Sequence, residues 1–261
     1  MEIDKEATKW FNENVVLKQK KKNMKEEIQL IPPTFKIIKK YYNTWQLYNK
    51  TEITFKPGVS ILVGCNGTGK TTLLNTIKNQ MEKYRYINKE KEDIGFMYFD
   101  NLHDGGSNAT SRYGFMNDIQ SLALSVQSSE GENITNNFGR LVAQNVGMDI
   151  RRHNYKKYFI LIDAVDSGLS IDGIVNIKDF FNFFMEKNPN LEVYIIVSAN
   201  SYEMTVDERC IAINTLEEIE FKDYNDYKKY ILKSSEIKEK KINNYWDRLE
   251  KKENKEETNN D

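Results

Sequence analysis

Short apolar runs alternate along this chain with segments whose apolar positions recur every three or four residues. The runs "SILV" (60–63), "IGFMYF" (94–99), "YFILI" (158–162) and "LEVYIIVSA" (191–199) are apolar at most positions and show no regular polar face, with Ser60, Glu192 and Ser198 as exceptions. Such runs suit strands covered on both faces. "FKII" (35–38) and "TEITF" (51–55) read as shorter strands, and "CIAIN" with "EEIEF" as a closing hairpin. Helical spacing appears after residue 70, with Leu73, Leu74, Ile77 and Met81 on one stripe. It returns at 113–127, at 132–147 and in "IVNIKDFFNFFMEK" (174–187). Four phenylalanines, 180, 181, 183 and 184, are too many for one helix face, so at least one is expected in solvent. Residues 1–28 form an imperfect helical pattern that stops before Pro32-Pro33. Residues 222–255 read as a Lys- and Glu-rich amphipathic helix.

Strand and helix alternate after residue 58, which predicts an α/β fold with a mostly parallel central sheet flanked by helices. The antiparallel element is expected near the N-terminus. Three regions follow: an N-terminal helical extension (1–30), an α/β domain (31–220) and a charged helical tail (221–261). In such sheets ligands sit at the carboxyl ends of the strands, and the chemically informative residues all fall there.

Composition narrows the picture only a little. The 38 basic and 39 acidic side chains leave a net charge of -1, so no global field attracts nucleic acid. "KQKKK" (18–22) is a local exception, closely followed by acids. Two cysteines make no disulfide framework, and no apolar run approaches a membrane span. The expected location is cytoplasmic.

The strongest motif is "GCNGTGKT", residues 64–71, lying between a buried strand and a helical pattern. It matches G-x-x-x-x-G-K-[ST], the phosphate-binding P-loop. Gly64, Asn66, Gly67, Thr68 and Gly69 turn the backbone so that its N–H groups face phosphate oxygens. Lys70 would reach the β- and γ-phosphates, Thr71 would ligate magnesium, and Thr72 is a further nucleotide-binding residue. ATP and Mg²⁺ are the implied cofactors. A second element is Asp163 at the end of "YFILID", followed by Ala164 and "DSGLS" (166–170). A third is "VQSSEGENI" (126–134).

Together these motifs resemble the ABC-type ATPases, and in particular the head domains of the SMC, Rad50 and RecF classes of chromosome-maintenance and repair proteins. The resemblance covers about residues 35–218. It implies that Asp163 supports Mg²⁺, with Asp100 at the end of the 94–99 strand as a further metal contact. It implies that Ser129 and Gly131, with Glu132, form the signature that meets a nucleotide across a dimer interface. Asn200 stands where the family has a γ-phosphate histidine, and Asp100-Asn101 where it has a glutamine.

The family's Glu after the strand-end Asp is replaced by Ala164, a methyl group that cannot take a proton or orient water. Asp166 is a possible substitute, and no other residue stands out as catalytic. The resemblance therefore suggests a slow or hydrolysis-deficient ATP switch, pairing as an ATP-dependent homodimer and acting on DNA or a protein partner. A slow repair ATPase with its base supplied elsewhere is the alternative. A transport-type cassette fits less well, because the stretch between Lys70 and Ser129 is short and the glutamine is missing.

Overall fold

The computed structural model describes residues 32–37, 48–88, 93–106 and 118–257. The helical pattern of residues 1–28 and the basic stretch 18–22 lie outside them, as do 107–117 of the polar loop. The described chain runs β1 (Thr34–Lys36), β2 (Glu52–Thr54), β3 (Gly58–Val63), α1 (Lys70–Ile87) and β4 (Ile94–Asp100). Then come α2 (Asn101–Asp104), α3 (Ile119–Gln127), α4 (Glu130–Leu141), a π-helical stretch (Val142–Val146) and α5 (Gly147–Arg152). The chain continues through β5 (Lys157–Asp163), α6 (Ile171–Lys187), β6 (Glu192–Ser198), β7 (Arg209–Ala212), β8 (Glu217–Ile219) and α7 (Tyr224–Glu257).

β1 and β2 make a small antiparallel pair near the N-terminus. The main sheet has the order β4-β5-β6-β3-β7-β8. Its first five strands are parallel, and only the β7–β8 pair is antiparallel. The α/β class, the parallel sheet and the antiparallel element therefore agree with the sequence reading. The boundaries shift in places. The "FKII" strand is confined to Thr34–Lys36, and the helix expected from 132 starts at Glu130 and passes into the π-helical stretch. A short helix, α2, stands where only loop was expected.

The continuous apolar runs are explained by two cores, one on each face of the sheet. Val59, Ile61 and Val63 of β3, Ile160 and Ile162 of β5, and Ile195 and Val197 of β6 face α4 and α6. Leu62, Phe159, Leu161, Tyr194 and Ile196 face the other way, onto α1 and the β1–β2 pair. Alternation of Cβ directions along each strand produces this division. Phe138 of α4 anchors the first core, with edge-on contacts to Phe99, Phe180 and Phe181. Phe183 is 55% exposed while Phe181 is buried, so the aromatic run on α6 does leave one ring in solvent. Parallel pairing brings Asp100, Asp163 and Ser198 side by side at the carboxyl ends of β4, β5 and β6.

Candidate functional site

The loop between β3 and α1 takes its shape from two glycines in left-handed backbone. Gly67 has φ 76° and Gly69 has φ 100°. At Gly69 a side chain is excluded twice, by its backbone and by Tyr48, whose hydroxyl oxygen lies 2.9 Å from where a Cβ would be. Tyr48 is buried and donates to the Gly69 carbonyl at 2.5 Å. Burial holds its phenol well above the usual range, so it stays a donor. The Thr68 hydroxyl donates to the Cys65 carbonyl at 2.7 Å and closes the turn. Asn66 and Gly67 face solvent at the rim, and Thr72 lies in the first turn of α1, its carbonyl accepting from Thr76.

Lys70 opens α1 and folds its ammonium back into the loop. It donates to the Gly64 carbonyl at 2.6 Å and to the Cys65 carbonyl at 3.4 Å. Burial pulls its pKa below the ordinary lysine range, against the opposing pull of Cys65, Asp166 and Asp163. Thr71 donates to Asp163 Oδ1 at 3.2 Å, so the P-loop and the strand-end acid are joined. Ser198 donates to the same oxygen of the buried Asp163. Ser198 was not singled out from the sequence; an apolar strand ending in Ser gives no signal until the strand order is known.

Ala164 follows with φ 51°, a left-handed conformation rare outside glycine. Its N–H is shared between the carbonyl and hydroxyl oxygens of Ser198, at 3.2 and 3.0 Å. Its carbonyl accepts from Asn101 Nδ2 at 2.9 Å, and Asn101 also donates to the Ser167 carbonyl at 2.8 Å. Asn101 thus stitches the end of β4 to the loop after β5. Because L-residues resist this backbone, Ala164→Gly is expected to stabilise the fold by roughly 0.5–1 kcal/mol. Thermal unfolding checks the sign.

The remaining sequence-derived residues divide. Asp100 caps α2, accepting from the Leu102 N–H at 3.0 Å and pairing with His103 at 2.7 Å. It sits beside Asp163 by register but is engaged by its own helix. Asp166 is buried, and one of its oxygens accepts from the N–H groups of Asn200 and Ser201 at 2.7 and 2.6 Å. Its other oxygen is buried without a partner among the described residues. Asn200 is exposed at the end of β6, its carbonyl accepting from Tyr227 at 2.8 Å.

Ser129 caps α4 in a reciprocal capping box. Its hydroxyl accepts from the Glu132 N–H at 3.3 Å, and the Glu132 carboxylate accepts from the Ser129 N–H at 2.7 Å. That backbone bond keeps Glu132 below the usual carboxylate range. Gly131 lies close to the Gly168 carbonyl, where a Cβ would approach to 3.2 Å. Ser129 and Gly131 therefore stand with the 166–170 loop, while Lys70, Thr71, Asp163 and Ser198 form the centre. Ser129→Ala is expected to destabilise the fold by about 1 kcal/mol, read as a lower denaturant midpoint.

The C-terminal helix belongs to this centre, which the sequence did not suggest. Tyr230 donates to the Val63 carbonyl at 3.2 Å, and the Cys65 N–H donates to Ser234 at 3.4 Å. Asn214 also donates to the buried Ser234, at 3.0 Å, and Lys238 reaches the Asn66 carbonyl at 3.1 Å. These residues and Tyr227 are three or four apart, so one face of α7 lies along the ends of β6 and β3 and the P-loop.

A family model described as "AAA domain" matches residues 53–204, from before β3 to beyond β6. That span is more than half of the chain and holds the P-loop, Asp163 and Ser198. The chain belongs to the AAA domain family. P-loop, ATP-binding character follows from that membership, and catalytic competence is a separate question.

No curated protein matches this AAA domain chain in sequence. Solved structures with a similar arrangement include the ADP conformation of MJ1267, an ATP-binding cassette of an ABC transporter. It shares 16% identity, covers 77% of this chain and 96% of its own, and has a TM-score of 0.43. cbiO1 from Clostridium perfringens, part of the ABC transporter complex cbiONQ, shares 14% identity over 69% of this chain and 83% of its own, at 0.38. A dimeric post-hydrolysis state of the ATP-binding cassette MJ0796 with ADP and Pi shares 15% over 73% and 97%, at 0.40.

MJ1267 and cbiO1 belong to ABC transporters and MJ0796 is an ATP-binding cassette; none of the three is a chromosome-maintenance head. The placement among the SMC, Rad50 and RecF classes is corrected accordingly. So are the reading of a repair-type switch acting on DNA and the low standing given to a transport-type cassette. The reason is chemical: a P-loop and a strand-end acid recognise phosphate and metal, and carry no information about what the nucleotide drives. No helix among the described residues is long and apolar enough to cross a membrane.

Proposed function

We propose that this AAA domain binds Mg-ATP at the 64–72 loop and hydrolyses it only weakly. The observation that carries the reading is the 3.2 Å bond between Thr71 and Asp163, which joins the phosphate loop to the strand-end carboxylate. A hydroxyl and a carboxylate are oxygen donors of the kind that suit magnesium, which keeps most of its remaining ligands as phosphate and water. The residues therefore fit the cofactor. When bound, magnesium would neutralise charge on the β- and γ-phosphates.

The chain's own groups divide the work. The N–H groups of the loop and Lys70 grip phosphate oxygens, and Thr71 and Asp163 hold the metal. Ser198 orients Asp163 by donating to one of its oxygens. Asp100 stands next to Asp163 as an outer acid of the metal site. Asn200 offers a hydrogen bond from the end of β6, and Ser129 and Gly131 present the start of α4. At 164 a methyl group stands where a water-orienting carboxylate would serve. Asp166 is not given that role in this reading: it is buried, and two backbone N–H groups fix one of its oxygens. It pins the loop after β6 instead.

The test is calorimetric binding of Mg-ATP paired with a phosphate-release assay. Saturable binding with turnover far below the usual 1–10³ s⁻¹ supports the proposal. Brisk release that Lys70→Ala abolishes would refute weak hydrolysis, and no binding at millimolar nucleotide would refute the whole reading. Light scattering in the same samples reads assembly. A mass that doubles with Mg-ATP supports a nucleotide-driven homodimer, and an unchanged mass removes it.

A further inference from the structure

α7 places a second lysine against the phosphate loop. Lys70 donates to the carbonyls of Gly64 and Cys65, and Lys238 donates to the next carbonyl along, that of Asn66. The stem of Lys238 crosses Gly67, with its Cδ 3.7 Å from where a Cβ at Gly67 would stand. Two ammonium groups therefore rest on successive peptide units of one loop. Neither has an acidic partner within salt-bridge distance among the described residues. Among the described residues Lys238 donates to the neutral Asn66 carbonyl, at the partly exposed rim.

Its position is fixed rather than incidental. One helical turn before it, the buried Ser234 accepts from the Cys65 N–H and from Asn214, at 3.4 and 3.0 Å. One turn earlier still, Tyr230 is tied to Val63. A long, flexible, strongly hydrated cation is thus delivered to the loop rim by a rigid element. An ammonium held on a neutral carbonyl keeps nearly its full charge for an incoming anion, and charge-assisted bonds to phosphate are the stronger kind.

We propose that Lys238 is a second cation of the nucleotide site, supplied by α7 of the same chain and binding the polyphosphate of Mg-ATP from the rim while Lys70 binds it from within. This rests on the nucleotide-binding reading above and adds a contact from a part of the chain beyond the matched 53–204 region. The bland alternative is that Lys238 merely fastens the helix to the loop. The two differ in charge. Glutamine at 238 can still donate to the Asn66 carbonyl but carries no charge, whereas arginine keeps it.

The experiment titrates Mg-ATP into the full chain and its Lys238→Gln, Lys238→Arg and Lys70→Ala variants at two salt concentrations, with thermal melts alongside. Lys238→Gln is expected to weaken Mg-ATP binding about tenfold. Its salt dependence should be shallower than that of the unaltered chain, because one fewer cation engages phosphate. Lys238→Arg is expected to keep most of the affinity. Unchanged melting would place the loss at the ligand. If Lys238→Gln binds as tightly as the unaltered chain with the same salt dependence, the proposal is overturned. It is overturned equally if Gln and Arg lose affinity together with the salt dependence unaltered, because such a loss follows side-chain shape and not charge. If the unaltered chain itself binds no Mg-ATP, the nucleotide reading fails first, and Lys238 falls with it.

Discussion

Putting a glutamate at position 164 is expected to raise the rate of ATP hydrolysis by about two to four powers of ten. Ala164 directly follows the acid that Thr71 and Ser198 both contact. Its backbone is fixed at both ends of the residue, the N–H on Ser198 and the carbonyl on Asn101. A longer side chain would start from the same held Cα. The left-handed backbone is already borne by alanine, so glutamate adds little further conformational cost. Mg-ATP affinity should stay near that of the unaltered chain, because 164 lies outside the phosphate-gripping groups. Single-turnover phosphate release measures the effect directly. Should Ala164→Glu bind Mg-ATP normally and turn it over no faster, the missing carboxylate is not what limits the chemistry.

Lys70→Ala is expected to cost roughly a hundredfold in Mg-ATP affinity. A charge-assisted bond to a phosphate contributes up to about 3 kcal/mol, and 1.4 kcal/mol is tenfold. The buried ammonium is already partly desolvated, which is why its pKa falls, so little further dehydration accompanies binding. The melt should fall as well, because the Gly64 carbonyl it releases is buried, whereas the Cys65 carbonyl is only partly so. Calorimetry reads the affinity and a melting curve reads the fold. An affinity within threefold of the unaltered chain would mean that the loop does not grip phosphate through Lys70.

Much of this arrangement is legible from residue order because it is local. The P-loop is a single contiguous segment, and its glycines announce the left-handed turns at Gly67 and Gly69. The runs ending in Asp100 and Asp163 show their strands by unbroken apolarity, and their shared register needs only a parallel pairing. The partners of those groups are less visible. Ser198 and Tyr48 reach the centre through strand order and a buried phenol, features with no local pattern. The charged tail shows an amphipathic stripe, but nothing in its sequence states that Tyr230, Ser234 and Lys238 meet partners 167 or more residues upstream. Function was less legible still. The phosphate-binding residues are those that different nucleotide machines share, which is how the motifs led to the wrong branch.

α7 is 34 residues long, so it extends about 50 Å, and Ser234 grips it near one third of that length. The portion beyond the grip is roughly 35 Å. A helix held at the phosphate cradle has the geometry of a lever: a tilt of about 5° at Ser234 would carry its far tip through ~3 Å. A fluorophore near Glu250 would register such a tilt from a position well away from the nucleotide.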